Sequence, residues 1–263
     1  MKDNFTSFSF KSELLKGIKE LGFKLPTPIQ KKVIPHLLFS KQDLIASAQT
    51  GTGKTAAFGL PLLHLTDVDD KSIQSLILCP TRELCLQIGK DLSMYSKYLK
   101  GVSVLSVYGG EKIEKQIKNL KKNPQIIVGT PGRTKDLIKR KKLFLGYTKR
   151  LIMDESDEML SMGFKEDLEF ILNSSSMDKN IFLFSATMTK KVTAVTKKYM
   201  KNPVKISVAS VNRAADNINH IFYMVHAKDR YEVVKRIADM NPNIYGIVFC
   251  RTRRETKDVA NKL

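Results

Sequence analysis

The chain has 263 residues, more than one typical domain needs and few for two, with 42% hydrophobic and 27% charged residues, so a disordered chain is excluded and one full domain plus a smaller piece is expected. Its net charge of +19, from 45 basic against 26 acidic residues, favours polyanionic partners: nucleic acid or an anionic membrane surface. No apolar run approaches the ~18 residues of a membrane span, and Cys79, Cys85 and Cys250 with four scattered histidines fit neither a disulfide framework nor metal-ligand spacing, so a soluble, reduced, cytoplasmic protein without structural metal is expected.

From residue 43 short apolar runs alternate with amphipathic stretches. Asp43–Ala48, Ser75–Pro80, Val102–Tyr108, Gln125–Gly129, Arg150–Asp154 and Asn180–Phe184 read as strands, each followed by a segment with helical spacing. Near-continuous apolar strands separated by helices predict a doubly wound parallel sheet with helices on both faces, and ligands of such sheets collect at the carboxyl ends of the strands. The basic runs Lys139-Arg140-Lys141-Lys142 and Lys115/Lys118/Lys121/Lys122 read as solvated faces. Ser207–Asn217 lacks apolar periodicity and reads as a linker. A strand over Ile218–Val225, a helix over Arg230–Ala238, a strand over Ile244–Cys250 and a helix starting near Arg253 then restart the βαβ pattern, and about 46 residues are too few to close a core, so the expected division is 1–206, 207–217 and an incomplete second domain over 218–263.

Ala48–Thr55, AQTGTGKT, follows a strand and opens a helix, the setting of a phosphate-binding loop. Gly51 and Gly53 let the backbone curl so that amides face phosphate oxygens, the helix N-terminus adds partial positive charge, Lys54 neutralises β/γ oxygens, and Thr55 offers its hydroxyl to Mg²⁺. Ala48 stands where the strict signature has glycine. At the end of another apolar strand, Asp154 can hold Mg²⁺ through its water shell and Glu155 can orient and deprotonate an attacking water.

With GFKLPTPIQ (Gly22–Gln30), Phe5 placed 17 residues before Gly22, PTREL (Pro80–Leu84), Gly109-Gly110, TPGR (Thr130–Arg133), DESD (Asp154–Asp157), SAT (Ser185–Thr187) and IVFC (Ile247–Cys250) in this order, the sequence resembles the DEAD-box RNA helicases over essentially its whole length. The resemblance implies two RecA-like domains, the second incomplete here, and ATP with Mg²⁺. Gln30 then reads adenine through its amide, giving ATP over GTP, with Phe5 covering the base. Lys24, Thr27, Ala48, Gln49, Thr50, Gly51, Thr52, Gly53, Lys54 and Thr55 complete the nucleotide site. Phe8 and Phe10 are equally readable as staples of the first helix to the core.

The resemblance assigns Pro80, Thr81, Arg82, Gly109, Gly110, Thr130, Pro131 and Arg133 to the RNA backbone, contacts that read shape and not bases, although Arg133 could instead pair with an acid to brace its helix. The resemblance also implies that Ser185 and Thr187 hydrogen-bond the acidic motif at Asp157. Ser156 replaces the usual alanine, and a buried hydroxyl there needs a partner. The HRxGRxGR segment of the family's second domain does not occur in the sequence, so weak ATP binding and poor hydrolysis are expected of this chain alone. The expected function is an ATP-dependent RNA helicase, monomeric, working on RNA and not on membranes; the alternative is a truncated, non-catalytic remnant that still binds RNA or nucleotide.

Overall fold

The computed structural model describes residues 4–49, 51–208, 219 and 221–263, in two compact units divided between Val211 and Asn212. Thr50 and nearly all of the expected linker, from residue 209 onward, lie outside the described residues.

The first unit is a parallel sheet of seven strands: β1 Leu44–Ser47, β2 Ser75–Leu78, β3 Val104–Val107, β4 Ile126–Gly129, β5 Arg150–Met153, β6 Asn180–Ser185 and β7 Val204–Ser207, in the order β3-β4-β2-β5-β6-β1-β7. Six match the expected strands. The seventh does not: β7 pairs with β1, Ser47 opposite Ser207, so Ser207 closes an edge strand and does not begin the linker. Its burial alternates between half-buried and exposed, and at four residues with one exposed face it lacks the continuous apolar signal of the inner strands.

Those inner strands are apolar on both faces because both faces are buried. Ala46, Ile77, Val128, Ile152, Phe182 and Phe184 point into one core, while Ile45, Leu76, Leu78, Ile127, Leu151, Met153, Ile181 and Leu183 point into the other. Alternate residues of a strand project to opposite faces, so one run of apolar residues feeds both layers. The helices α1 Ser12–Glu20, α2 Pro28–Phe39, α3 Lys54–Leu65 and α4 Arg82–Tyr95 cover the first face. The second is covered by α5 Ile113–Leu120, α6 Pro131–Lys139, α7 Ser156–Ser161, α8 Lys165–Ser174 and α9 Lys190–Tyr199.

Phe5, Phe8 and Phe10 all lie in the first core, Phe5 edge-on to Phe8 and Phe23 with centroids 6.1 and 5.7 Å apart. Phe8 and Phe10 are core staples: Phe10 also meets the His64 ring of α3 at 5.6 Å.

The second unit contains α10 Arg230–Met240 and α11 Arg253–Lys262, as expected from their spacing. The two expected strands are not formed: residues 221–226 and 244–250 carry no strand among the described residues, and Ile218 lies outside them. A β-rich composition becomes a strand only when a neighbour takes up its backbone N–H and C=O groups. Phe222, Met224, Tyr245 and Phe249, in these two runs, are exposed.

Candidate nucleotide and RNA site

In the first unit, every sequence motif from Ala48–Thr55 to Ser185–Thr187 falls where a strand reaches its carboxyl end. The loop after β1 starts with the Ala48 amide donating to the Ser185 carbonyl at 3.2 Å, which ties it to the end of β6. Gly53 caps α3 with φ 90°, in the left-handed region that favours glycine. A Cβ there would also come within 2.5 Å of the Gln30 amide nitrogen, so α2 and the loop are packed at backbone distance. Lys54, the first residue of α3, is buried, and its Nζ lies 2.7 Å from Glu155 Oε1 and 3.9 Å from Asp154 Oδ1. Only β6 stands between the strands that deliver these groups, β1 for the lysine and β5 for the acids.

Asp154 leaves β5 with its amide on the Leu78 carbonyl (2.9 Å), and its Oδ1 accepts from the Glu155 amide (3.1 Å). Burial pushes its carboxyl up to about 7; Lys54 pulls the other way and the neighbouring Glu155 adds to the rise. Glu155 holds φ 48°, a left-handed conformation uncommon for a side-chain-bearing residue, where strand β5 breaks into α7. The strained residue is the one sequence reasoning named as general base.

This geometry gives a pH prediction. Below about pH 4 Asp154 is protonated in both folded and unfolded chains; between about 4 and 7 the unfolded chain gives up that proton and the folded chain keeps it, so folded stability falls as pH rises through this window. Asp154→Asn does not ionise and keeps an acceptor for the Glu155 amide. It should therefore stabilise the ligand-free chain at pH 8 relative to pH 5, by on the order of 2–4 kcal/mol. Urea melts at the two pH values measure this, and an equal effect at both would contradict the assignment.

Ser156 answers its own departure from the family pattern: buried at 1% exposure, its Oγ donates to the Phe184 carbonyl at 2.8 Å. Asp157 Oδ2 accepts from the Thr187 amide (2.9 Å) and hydroxyl (2.7 Å). Burial works against its ionisation, yet hydrogen bonds from the Thr187 and Ser185 side chains and the Thr187 amide outweigh it and hold the carboxyl below its usual range. Ser185 Oγ donates to the Thr187 carbonyl (2.7 Å), folding the SAT turn, and its side chain also hydrogen-bonds Asp157, as the resemblance implies.

Gln30 sits at the third position of α2. Its Oε1 accepts from the Thr27 amide (2.9 Å) and its Nε2 donates to the Gly53 carbonyl (3.1 Å). One lone pair and one N–H of the amide remain. Thr27 is half-buried beside this amide, and Lys24 is exposed. Thr52 Oγ1 donates to the Gln49 carbonyl within the loop (2.8 Å), Gly51 has φ 82°, and Thr55 is half-buried on the first turn of α3.

The other motifs line up along the adjoining strands β2, β4 and β3. Buried Pro80 leads from β2 to Thr81, which caps α4 by accepting from the Leu84 amide (3.2 Å). Thr130 and Pro131 open α6 directly after β4, both buried. Gly109 and Gly110 follow β3 and are exposed. The Arg82 guanidinium lies 5.1 Å from the Tyr108 ring centre, and a Cβ on Gly110, whose φ is 83°, would meet Arg82 Nη1 at 3.2 Å. With strands about 4.8 Å apart, the six carboxyl ends from β3 to β1 make a row roughly 25 Å long.

Arg133 is already engaged. Its Nη1 donates to Gln116 Oε1 (2.9 Å) and its Nη2 to the Glu111 carbonyl (3.0 Å), so it braces the glycine loop, though not through an acid side chain. Buried Gln116 completes the brace, donating to the Tyr108 carbonyl (3.0 Å) and to Glu111 Oε2 (3.0 Å). Gln116 and Glu111 were not legible as site residues: a glutamine on a lysine-rich helix gives no signal until Arg133 folds over it.

A parallel sheet with a glycine loop opening the helix after β1, faced by a carboxylate pair at the end of β5, defines a RecA-like domain. The family is shown by comparison: residues 27–195 match the model of the DEAD/DEAH box helicases, and the chain belongs to that family. It is 44% identical over 259 residues to the ATP-dependent RNA helicase CshA of Listeria monocytogenes, covering 98% of this chain and 49% of that one. The DEAD-box ATP-dependent RNA helicase CshA of Geobacillus kaustophilus is 40% identical, over 98% and 55% of the two chains. The crystal structure of a DEAD box protein from Methanococcus jannaschii superposes with a TM-score of 0.76 at 42% identity, over 98% of this chain and 69% of that one. The chain thus spans about half the length of the curated relatives it matches. Among the described residues no helix is long and apolar enough to cross a membrane.

Proposed function

We propose that this chain is the ATP-binding and RNA-contacting portion of an ATP-dependent RNA helicase, in which ATP binding and hydrolysis drive local separation of an RNA duplex. The reading is carried by one observation: Lys54 Nζ meets Glu155 at 2.7 Å and Asp154 at 3.9 Å, across one intervening strand, beside a glycine loop at the carboxyl edge of the sheet. The names of the relatives support the substrate classes.

In this reading Gly51, Gly53 and their neighbours turn backbone amides toward the triphosphate, and Lys54 exchanges its carboxylate partners for phosphate oxygens. The Asp154 carboxylate and the Thr55 hydroxyl are hard oxygen donors that suit Mg²⁺, which would offset phosphate charge. Glu155 orients and deprotonates the attacking water. Thr187, bonded to Asp157, ties the acidic motif to the end of β6 and is positioned to relay its movement. Arg82, Thr81, Thr130 and the Gly109-Gly110 amides contact the RNA backbone, with Arg133 holding the glycine loop in shape for them. Phe5 closes the adenine end from within the aromatic cluster it shares with Phe23. The stretch up to and including β7 forms the ATP-binding domain, the segment after it is a linker to Asn217, and residues 218–263 open a second RecA-like domain. The protein works in the cytoplasm as a monomer.

Gln30 supplies a direct test. Its remaining donor and acceptor match adenine and mismatch guanine, so Gln30→Ala should reduce the preference for ATP over GTP by on the order of 10- to 100-fold. Competition titrations with the two nucleotides measure this, and an unaltered ratio means adenine is read elsewhere. RNA as the stimulating strand is tested by ATP turnover of the longer protein with RNA and with DNA; stimulation by DNA alone overturns the assignment.

A further inference from the structure

We propose that the loop leading into β5 carries a second contact for single-stranded RNA, on the edge of the sheet opposite the nucleotide and RNA motifs. All pairings of the sheet are parallel, so this loop, entering the amino end of β5, lies at the far edge from the groups that follow the strands.

Two aromatic rings stand out of that loop. Phe144 is 69% and Tyr147 66% exposed, with ring centroids 5.5 Å apart and planes at 71°. Their direction is fixed from below. Leu143 and Leu145 on either side of Phe144 are buried, as is Thr148 next to Tyr147. The Leu143 amide bonds the Leu137 carbonyl at the end of α6, and Leu145 bridges to Ser175. Between the rings, a Cβ on Gly146 would come within 2.5 Å of Phe144 Cζ, so the Phe144 ring rests against bare backbone. The pair is therefore preformed, and folding does not use it as core.

The surrounding charge is basic. Lys141 and Lys142, immediately before the rings, are exposed, whereas Arg140 is matched by Asp136 and Lys149 by Asp70. Two residues beyond the Leu145–Ser175 bridge, exposed Met177 borders a hollow of about 220 Å³ lined by Lys41, Lys179 and Lys201 and also by Asp43 and Asp178, so the basic excess lies with Lys141 and Lys142. Rigid aromatic faces beside exposed cations stack bases and track phosphates, a combination that suits an unpaired strand because a duplex hides its base faces. Stacking of this kind is indifferent to sequence. The choice of RNA over DNA rests on the function proposed above; the platform itself does not.

The test is fluorescence anisotropy of a labelled single-stranded oligouridylate with the 263-residue chain, compared across three variants. Phe144→Ser with Tyr147→Ser should weaken binding by about tenfold or more. Lys141→Glu with Lys142→Glu should also lower the slope of log affinity against log salt by about 1–2. Arg82→Ala reports the motif edge separately. These side chains are exposed, and unchanged melting curves verify folding. Binding lost in the aromatic variant but kept in Arg82→Ala supports the platform and counts against the motif assignment. RNA affinity unmoved by the aromatic variant overturns the platform, whatever Arg82→Ala does.

Discussion

Replacing Lys54 with alanine should remove ATP binding, with affinity falling at least about 100-fold, the scale of truncating one partner of a buried, hydrogen-bonded charge pair. Lys54 is the cation of the site, buried and within 4 Å of both acids. Without it, two buried acidic side chains face the incoming triphosphate without the Lys54 ammonium between them. The same substitution also destabilises the ligand-free fold, because a buried pair that loses one partner costs about 3–5 kcal/mol. Binding is therefore measured by titration calorimetry well below the melting temperature of the variant, determined in parallel. ATP affinity equal to that of the parent in a folded variant would remove the loop from the phosphate site.

Glu155→Gln should have the opposite profile in the longer protein: ATP still binds, and RNA-stimulated turnover falls by about 10²- to 10⁴-fold, the typical contribution of a general base. Glutamine keeps the length, an oxygen for the Lys54 contact and a backbone compatible with φ 48°, so shape survives while the proton acceptor is lost. Single-turnover hydrolysis separates this outcome from a binding defect. Turnover at the parental rate would take Glu155 out of the reaction and leave it a structural partner of Lys54.

Much of this was legible in the chain itself. The inner strands are readable because burial on both faces makes them apolar throughout, and Gly53, Lys54, Asp154 and Glu155 are readable because phosphate chemistry admits few residue types at those points. Thr187 was correctly linked to Asp157. The edge strand β7 was missed because a strand with one open face loses the apolar signal. In the second unit the reverse error occurs: residues 221–226 and 244–250 have strand-like composition yet form no ladder among the described residues, since composition says nothing about whether a neighbour is in place to pair.

The amino-acid sequence by itself determined the family, the alternation of strands and helices, and which side chains are the candidates for phosphate. Only the tertiary structure decided which partners those side chains hold: Lys54 on both acids, Ser156 on the Phe184 carbonyl, and Arg133 locked with Gln116 and Glu111 behind the glycine loop. The physical reason is that local chemistry and periodicity are written along the chain. A hydrogen bond or ion pair depends instead on strand order, which brings β1, β6 and β5 side by side from distant points of the sequence.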